Sequence, residues 1–259
     1  MKKIKKFLRK IPVIKKTKII VETFRHRYSL AVRANSIFSF FSDYQKYRKL
    51  QKNNNFSLET KNLYPRIYDK TTNTPVDPIY FYQNCWCAKK IFEAKPEKHF
   101  DVGSSAELVG ILSGFVPTTM VDIRPLPVRL KNLSFVQGSI LNLPFSDNGI
   151  SSLSAICVIE HIGLGRYGDP LDQFGSEKSA KELQRVVKPG GSLYISVPID
   201  SKNTVYFNAH RAFTREHLLR LFSSLTLVEE KYVYGYDVFD SYDTSKGFGT
   251  GLFHFKKSQ

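Results

Sequence analysis

Two acids, Asp101 and Asp122, stand twenty-one residues apart, and each closes a short apolar run. The first run continues Val102-Gly103-Ser104-Ser105, and the second continues into Ile123. A carboxylate at the end of a second strand is placed to accept hydrogen bonds from ribose hydroxyls. A glycine after the first strand lets the chain turn sharply, so that unpaired N–H groups of the next helix meet a ligand. Nucleoside binding is the chemistry this spacing points to; a loop or capping role for Asp122 is the alternative. Positions 103, 105 and 108 are Gly, Ser and Leu, so the G-x-G-x-x-G fingerprint of a nicotinamide dinucleotide site fails.

Two histidines follow predicted strands. His161 is the first choice for a base that takes a proton from a hydroxyl acceptor, and His210 is the second. The alternative for His161 is a helix-start histidine bonded to backbone. Arg211, beside His210 and between Phe207 and Phe213, suits a phosphate or carboxylate. Gly163-Leu164-Gly165-Arg166-Tyr167-Gly168-Asp169-Pro170 is a loop whose three glycines allow close approach to a ligand. Arg166, Tyr167, Asp169, Asn208 and Arg211 are therefore candidate acceptor contacts. Asp169 and Asp172 lack any fixed metal-ligand spacing to His161, and Cys85 and Cys87 lack a second cysteine pair, so no metal is expected.

These residues need strands and helices to hold them. Short apolar runs at 99–103, 119–123, 133–137, 152–158 and 192–197 predict strands, with two more at 226–234 and 250–256. Patterns at 105–114, 176–187 and 214–224 predict helices. Pro78 suits the first turn of a further helix running to Ala94 and carrying Tyr80, Tyr82 and Trp86. Alternation of this kind predicts an α/β fold: a doubly wound, mostly parallel, seven-stranded sheet. Cys157 lies in the fourth strand and reads as core.

The 259 residues include three cysteines, which excludes a disulfide framework, and no run of eighteen apolar residues, which excludes a conventional membrane-spanning helix. The net charge of +16 is uneven. Residues 1–52 hold sixteen Lys and Arg against Glu22 and Asp43, a net +14, whereas the remainder carries +2. This basic, helical N-terminal extension places Ile4, Phe7, Leu8 and Ile11 on one face, and Ile37, Phe40, Phe41, Tyr44 and Tyr47 on another. It could lie on an anionic membrane surface or simply pack as a solvated arm. Nucleic acid is unlikely, because nothing base-reading accompanies the charge. Residues 53–76 read as a linker or wrapped loop, and 77–259 as the main domain.

Later segments carry a resemblance: Phe135-Val136-Gln137-Gly138-Ser139, Leu143-Pro144-Phe145-Ser146-Asp147, Val158-Ile159-Glu160-His161-Ile162 and Lys188-Pro189-Gly190-Gly191. In order and spacing the chain from about residue 77 resembles the class I S-adenosylmethionine-dependent methyltransferases. The Ile162–Pro170 loop and Phe207-Asn208-Ala209-His210-Arg211 resemble more narrowly a methyltransferase-related group catalogued as a domain of unknown function. The resemblance implies a Rossmann-like methyltransferase fold and S-adenosyl-L-methionine as cofactor. It implies that Asp101, Gly103, Ser104 and Ser105 lie at the methionine end, that Asp122 and Ile123 hold the ribose, and that Gly138, Ser139, Ile140 and Cys157 border the cofactor. Ser105 and Glu107 stand where the family has glycines, and Ser139 stands where many members have Asp. The expected activity is methyl transfer to a small-molecule or glycan acceptor, such as a lipid-linked or phosphorylated sugar. A non-catalytic binding or scaffold protein on the same fold is the alternative.

Overall fold

A computed structural model describes residues 30–50, 52 and 55–259. The chain divides into two compact units, Met1–Pro75 and Val76–Gln259. In the first, helix α1 spans Leu30–Leu50. Its Phe41 and Tyr44 are buried with Leu63, and Ile37, Phe40 and Leu58 pack against them. Tyr47, assigned to the same apolar stripe, is exposed one turn beyond that cluster. The face expected at Ile4, Phe7, Leu8 and Ile11 lies outside the described residues. Apart from a 3-10 turn at Thr60–Asn62, residues 55–75 are irregular.

The second unit opens with α2, Pro78–Ala94. Asp77 caps it by accepting from the N–H groups of Ile79 and Tyr80, and Pro78 occupies the first turn, where a missing N–H costs nothing. The chain then forms β1 His99–Val102, α3 Ala106–Leu112, β2 Thr118–Asp122, β3 Leu133–Gln137 and β4 Ile150–Ile156. Next come α4 Gly175–Val186, β5 Val187–Ile199, β6 Thr204–Tyr206, β7 His210–Ala212, α5 Arg215–Leu221, β8 Leu225–Tyr234, β9 Asp237–Phe239 and β10 Gly249–Lys257.

Strands β3-β2-β1-β4-β5 pair in parallel; β10, β8 and β9 extend the sheet antiparallel beyond β5. The sheet thus has eight strands where seven were expected. The eighth, β9, is a three-residue return after Gly235, too short to show alternation in sequence. The separate β6–β7 hairpin went unforeseen for the same reason. Helices α2 and α3 cover one face through Cys87, Ile91, Leu108 and Leu112. Helices α4 and α5 cover the other through Ala180, Leu183, Val186 and Leu218. Covered on both faces, β4 and β5 read as nearly continuous buried runs.

From β1 the chain runs outward through β2 and β3, then returns to place β4 on the other side of β1. The β1/β4 boundary is therefore the switch point, where a crevice opens at the carboxyl ends. Gly103 turns the chain there at φ +67°, and a Cβ would meet Val158 Cγ1 at 3.1 Å. Only glycine serves both demands.

Beneath the crevice, His99 is wholly buried, with Nδ1 2.8 Å from Ser152 Oγ and Nε2 2.9 Å from Ser154 Oγ. Ser154 Oγ donates to Asp101, so it accepts from Nε2–H, which fixes the neutral tautomer. Burial pushes His99 down to about 3, and pushes Asp101 up to about 6. Between the ordinary histidine value and 3, the unfolded chain holds a proton on His99 that the folded one refuses. His99's contribution is thus intact above pH 6.5 and lost as pH falls, while Asp101 acts in the opposite sense. Wild type should lose stability relative to His99→Gln by about 1.4 kcal/mol per pH unit below 6.5. Guanidinium denaturation of both proteins at pH 7 and pH 5 measures the difference.

Candidate functional site

A cleft of about 640 Å³ opens at the switch point, lined by the carboxyl ends of β1, β2 and β4, the turn after β3 and the loop after His161. It brings together Gly103, Asp122, Ile123, Gly138, Ser139, Ile140, Cys157, His161, Tyr167 and Asp169. Gly138 leaves no room for a side chain, since a Cβ would meet Val121 at 3.1 Å and Pro144 at 3.2 Å. Ser139 Oγ accepts from Leu141 N in its own turn, which leaves its O–H to donate into the cleft. Ile123 and Ile140 supply apolar walls. Asp122 accepts from Arg124 three times, from backbone N at 2.7 Å, Nε at 3.2 Å and Nη2 at 3.3 Å. Arg124, two residues beyond the strand end, was missed in the sequence, although an Asp-x-Arg after a strand is itself a signal for such a pair.

Three residues expected at the cofactor do not line this cleft. Asp101 is wholly buried, accepting from Ser104 N, Ser104 Oγ and Ser154 Oγ. Ser104 Oγ in turn accepts from Ile156 N at 2.9 Å, stitching the turn to β4. Ser105 caps α3 by accepting from Leu108 N, so the serine that replaces a family glycine starts the helix. Cys157 adopts φ +54°, a strained position for a non-glycine, at the cleft floor. Its thiol donates to Gln83 Oε1 at 3.0 Å, and that oxygen also accepts from Ser196 Oγ. Gln83, buried on α2, was invisible to pattern reading because a glutamine on a helix ordinarily faces water.

His161 closes the 3-10 turn Ile159–His161. Its Nδ1 lies 2.6 Å from the Ala209 carbonyl and 3.3 Å from Arg166 Nη1; the shorter contact, to an oxygen that can only accept, puts the proton on Nδ1 and leaves the lone pair on Nε2. Burial pushes its pKa down to about 4, against the Ala209 bond, so the imidazole is neutral at pH 7. Arg166 donates to the same carbonyl at 2.9 Å. The Tyr167 ring carries the guanidinium groups of Arg124, at 4.5 Å, and Arg166, at 5.1 Å, and stands nearly perpendicular to the His161 ring at 5.6 Å.

Three proposed acceptor contacts have structural duties instead. Asp169 accepts from Gly163 N, Gly165 N and Tyr167 N, shaping the glycine loop. Arg211 is buried, and its guanidinium donates to the carbonyls of Ile162, Asp172 and Gln173 and to Ser176 Oγ. A guanidinium so engaged cannot also bind an anion, so the phosphate-binding expectation is corrected. Asn208 supplies the φ +63° turn of the β6–β7 hairpin. His210 does not line the cleft; it packs with Tyr206 at 5.0 Å and Phe248 at 5.6 Å. Among the described residues no cluster of three or more His, Cys, Asp or Glu could hold a metal ion.

Burial pushes both the Cys87 and Cys157 thiols up, whereas Cys85 is exposed. Native protein should therefore give one fast-alkylating thiol at pH 7.5, Cys85, with the other two reacting only after denaturation. Peptide mass spectrometry after timed iodoacetamide labelling identifies which cysteine reacts.

The model of a Caenorhabditis family of unknown function, DUF268, matches residues 147–245. No curated protein matches the chain in sequence. Among solved structures, the N-methyltransferase NodS of Bradyrhizobium japonicum, in complex with S-adenosyl-L-homocysteine, is 14% identical with a TM-score of 0.52, over 83% of this chain and 98% of that one. The [4+2]-cyclase SpnF is 12% identical with a TM-score of 0.52, over 68% of this chain and 80% of that one. The chain has the Rossmann-like fold of the class I S-adenosylmethionine-dependent methyltransferases.

Proposed function

We propose that the protein is an S-adenosylmethionine-dependent methyltransferase whose acceptor is a small molecule or glycan, such as a phosphorylated or lipid-linked sugar. One observation carries this: the switch-point cleft combines the Asp122 carboxylate with a neutral histidine whose lone pair is on Nε2. When bound, S-adenosylmethionine supplies a methyl group on a positively charged sulfur, open to attack by a lone pair.

The residues present fit that group. Asp122 would accept from the two ribose hydroxyls, exchanging Arg124's side-chain donors for theirs. Ile123 and Ile140 would flank the adenine, and Ser139 would donate to it, a neutral contact in place of the charge-assisted one an aspartate gives. Gly103 and Gly138 leave the space that side chains would fill. His161 would hold the acceptor's hydroxyl and receive its proton at Nε2. Arg166 donates to Ala209 through Nη1 and forms no ion pair with a carboxylate among the described residues, so it is the cation for an anionic acceptor. It takes the place first given to Arg211.

Calorimetry with S-adenosylhomocysteine should show binding to wild type, and Asp122→Ala should weaken it by about 2–3 kcal/mol, roughly a hundredfold, through loss of hydrogen bonds to a charged acceptor. A folded wild type that binds neither S-adenosylmethionine nor its demethylated product overturns the enzyme reading and favours the scaffold.

The basic extension, net +14 over residues 1–52, supports reversible attachment to an anionic membrane face. No described helix is long and apolar enough to cross a membrane. Full-length protein should float with anionic vesicles at low salt, sink at high salt, and ignore neutral vesicles. Deletion of residues 1–52 should abolish flotation, and sinking of the full-length protein at low salt would refute the attachment.

A further inference from the structure

Glu160 sits in the same 3-10 turn as His161, beneath the cleft, with its side chain only 1% exposed. Its Oε1 lies 3.6 Å from His161 Nε2, while its Oε2 is buried with no hydrogen-bond partner among the described residues. A buried carboxyl with an unmade bond is costly and needs an explanation. Stability does not supply one, because an apolar residue of the same shape would avoid the cost.

The geometry of the neighbouring ring supplies it. The Ala209 carbonyl holds the His161 proton on Nδ1, so the nitrogen left to accept a proton is the one that faces Glu160. We infer that Glu160 is the positioning residue of a Glu160–His161 dyad and the final holder of the proton that leaves the acceptor. This rests on the methyltransferase reading above, and it changes which group is the base.

The order of basicity follows from surroundings. Burial pushes Glu160 up to about 8, whereas burial pushes His161 down to about 4. Around Glu160 stand the Cys157 thiol at the end of β4, the Tyr80 phenol on α2 and the Arg166 guanidinium on the glycine loop. Only Arg166 is charged at neutral pH, and it restrains the rise. From β7, His210 acts on His161, and itself stays neutral through burial. Side by side, the carboxylate therefore outcompetes the imidazole for a proton. In the step, the acceptor's O–H bond breaks, its proton joins Nε2 and the bonding pair stays on the acceptor oxygen; that oxygen would take the methyl group as the methyl–sulfur bond of the bound cofactor breaks, its electron pair going to sulfur. The proton then passes from Nε2 to the Glu160 carboxylate, which restores the neutral ring and leaves Glu160 as the acid. Release to solvent resets it. The working form is Glu160 carboxylate with neutral His161, so turnover should rise as pH climbs through about 8, above the ordinary range of a histidine base.

The test needs no acceptor. In full-length wild type, infrared difference spectra between pH 6 and pH 10 should show a protonated carboxyl lost with a midpoint near 8, and Glu160→Gln should lack that signal. In ¹⁵N NMR, His161 should stay in its neutral Nδ1–H form from pH 6 to pH 9, with an Nε2 resonance that shifts as Glu160 titrates. That shift should vanish in Glu160→Gln and return, displaced, in Glu160→Asp. A carboxyl ionised throughout, or an Nε2 resonance that moves equally in Glu160→Gln, overturns the dyad. S-adenosylhomocysteine titrated into wild type and Glu160→Gln keeps the two questions apart. Equal affinity for both supports a role in proton handling. A weakening in the variant of tenfold or more would make Glu160 part of cofactor binding and overturn the assignment. If neither binds while Glu160 titrates as stated, the enzyme reading has failed and the dyad's proton chemistry stands.

Discussion

Helices cover both faces of β4 and β5, so the polar groups buried inside those strands have little access to water. The chain meets this constraint in two ways. Within the sheet, His99, Ser152, Ser154, Asp101 and Ser104 satisfy one another in a closed chain of hydrogen bonds. At the carboxyl ends, where strands stop and backbone directions diverge, polar groups are left facing the cleft. Asp122, His161 and the Ser139 hydroxyl all lie in that second zone. A dry sheet thus decides where chemistry can occur before any residue decides what it is.

The rim is equally organised. A single carbonyl, that of Ala209, accepts from both His161 and Arg166, so the β6–β7 hairpin holds the histidine's tautomer and the loop's cation together. Arg211, on the same hairpin, fans its donors over Ile162, Asp172, Gln173 and Ser176 and locks the hairpin to the chain that enters α4. Gly163 makes this possible, since a Cβ there would lie 2.0 Å from the Asp172 carbonyl. Hairpin, loop and turn act as one support for the part of the cleft that holds His161.

Much of this was legible in residue patterns. Strands at 133–137 and 226–234, and the Pro78 helix, were read within a residue or so, because buried alternation and capping are local properties. Asp122 and His161 were legible because they follow strand ends, and Gly138 through the family resemblance; all three line the cleft. Arg211 was misread for a physical reason: a guanidinium that binds an anion and one that braces three carbonyls look identical in sequence, and only burial separates them. Glu160 was overlooked beside His161 because its importance lies in a bond it does not make. Gln83 joins residues 74 and 113 positions away, a separation no local pattern encodes.

The place of β10 in the sheet bears on how the protein is made. It follows β8 in the chain yet lies between β5 and β8, antiparallel to both. As the polypeptide leaves the ribosome, β1 to β5 can assemble in order, but β8 and β9 have no edge to join until residues 249–257 emerge. Until then the β5 edge, with buried Leu193, Ile195 and Val197, stays open to any passing strand. The nascent chain therefore carries this aggregation hazard for as long as β1 to β5 have folded and β10 has not yet emerged. A strand made after β8 and β9 but slotted in ahead of them makes completion of the sheet wait for β10.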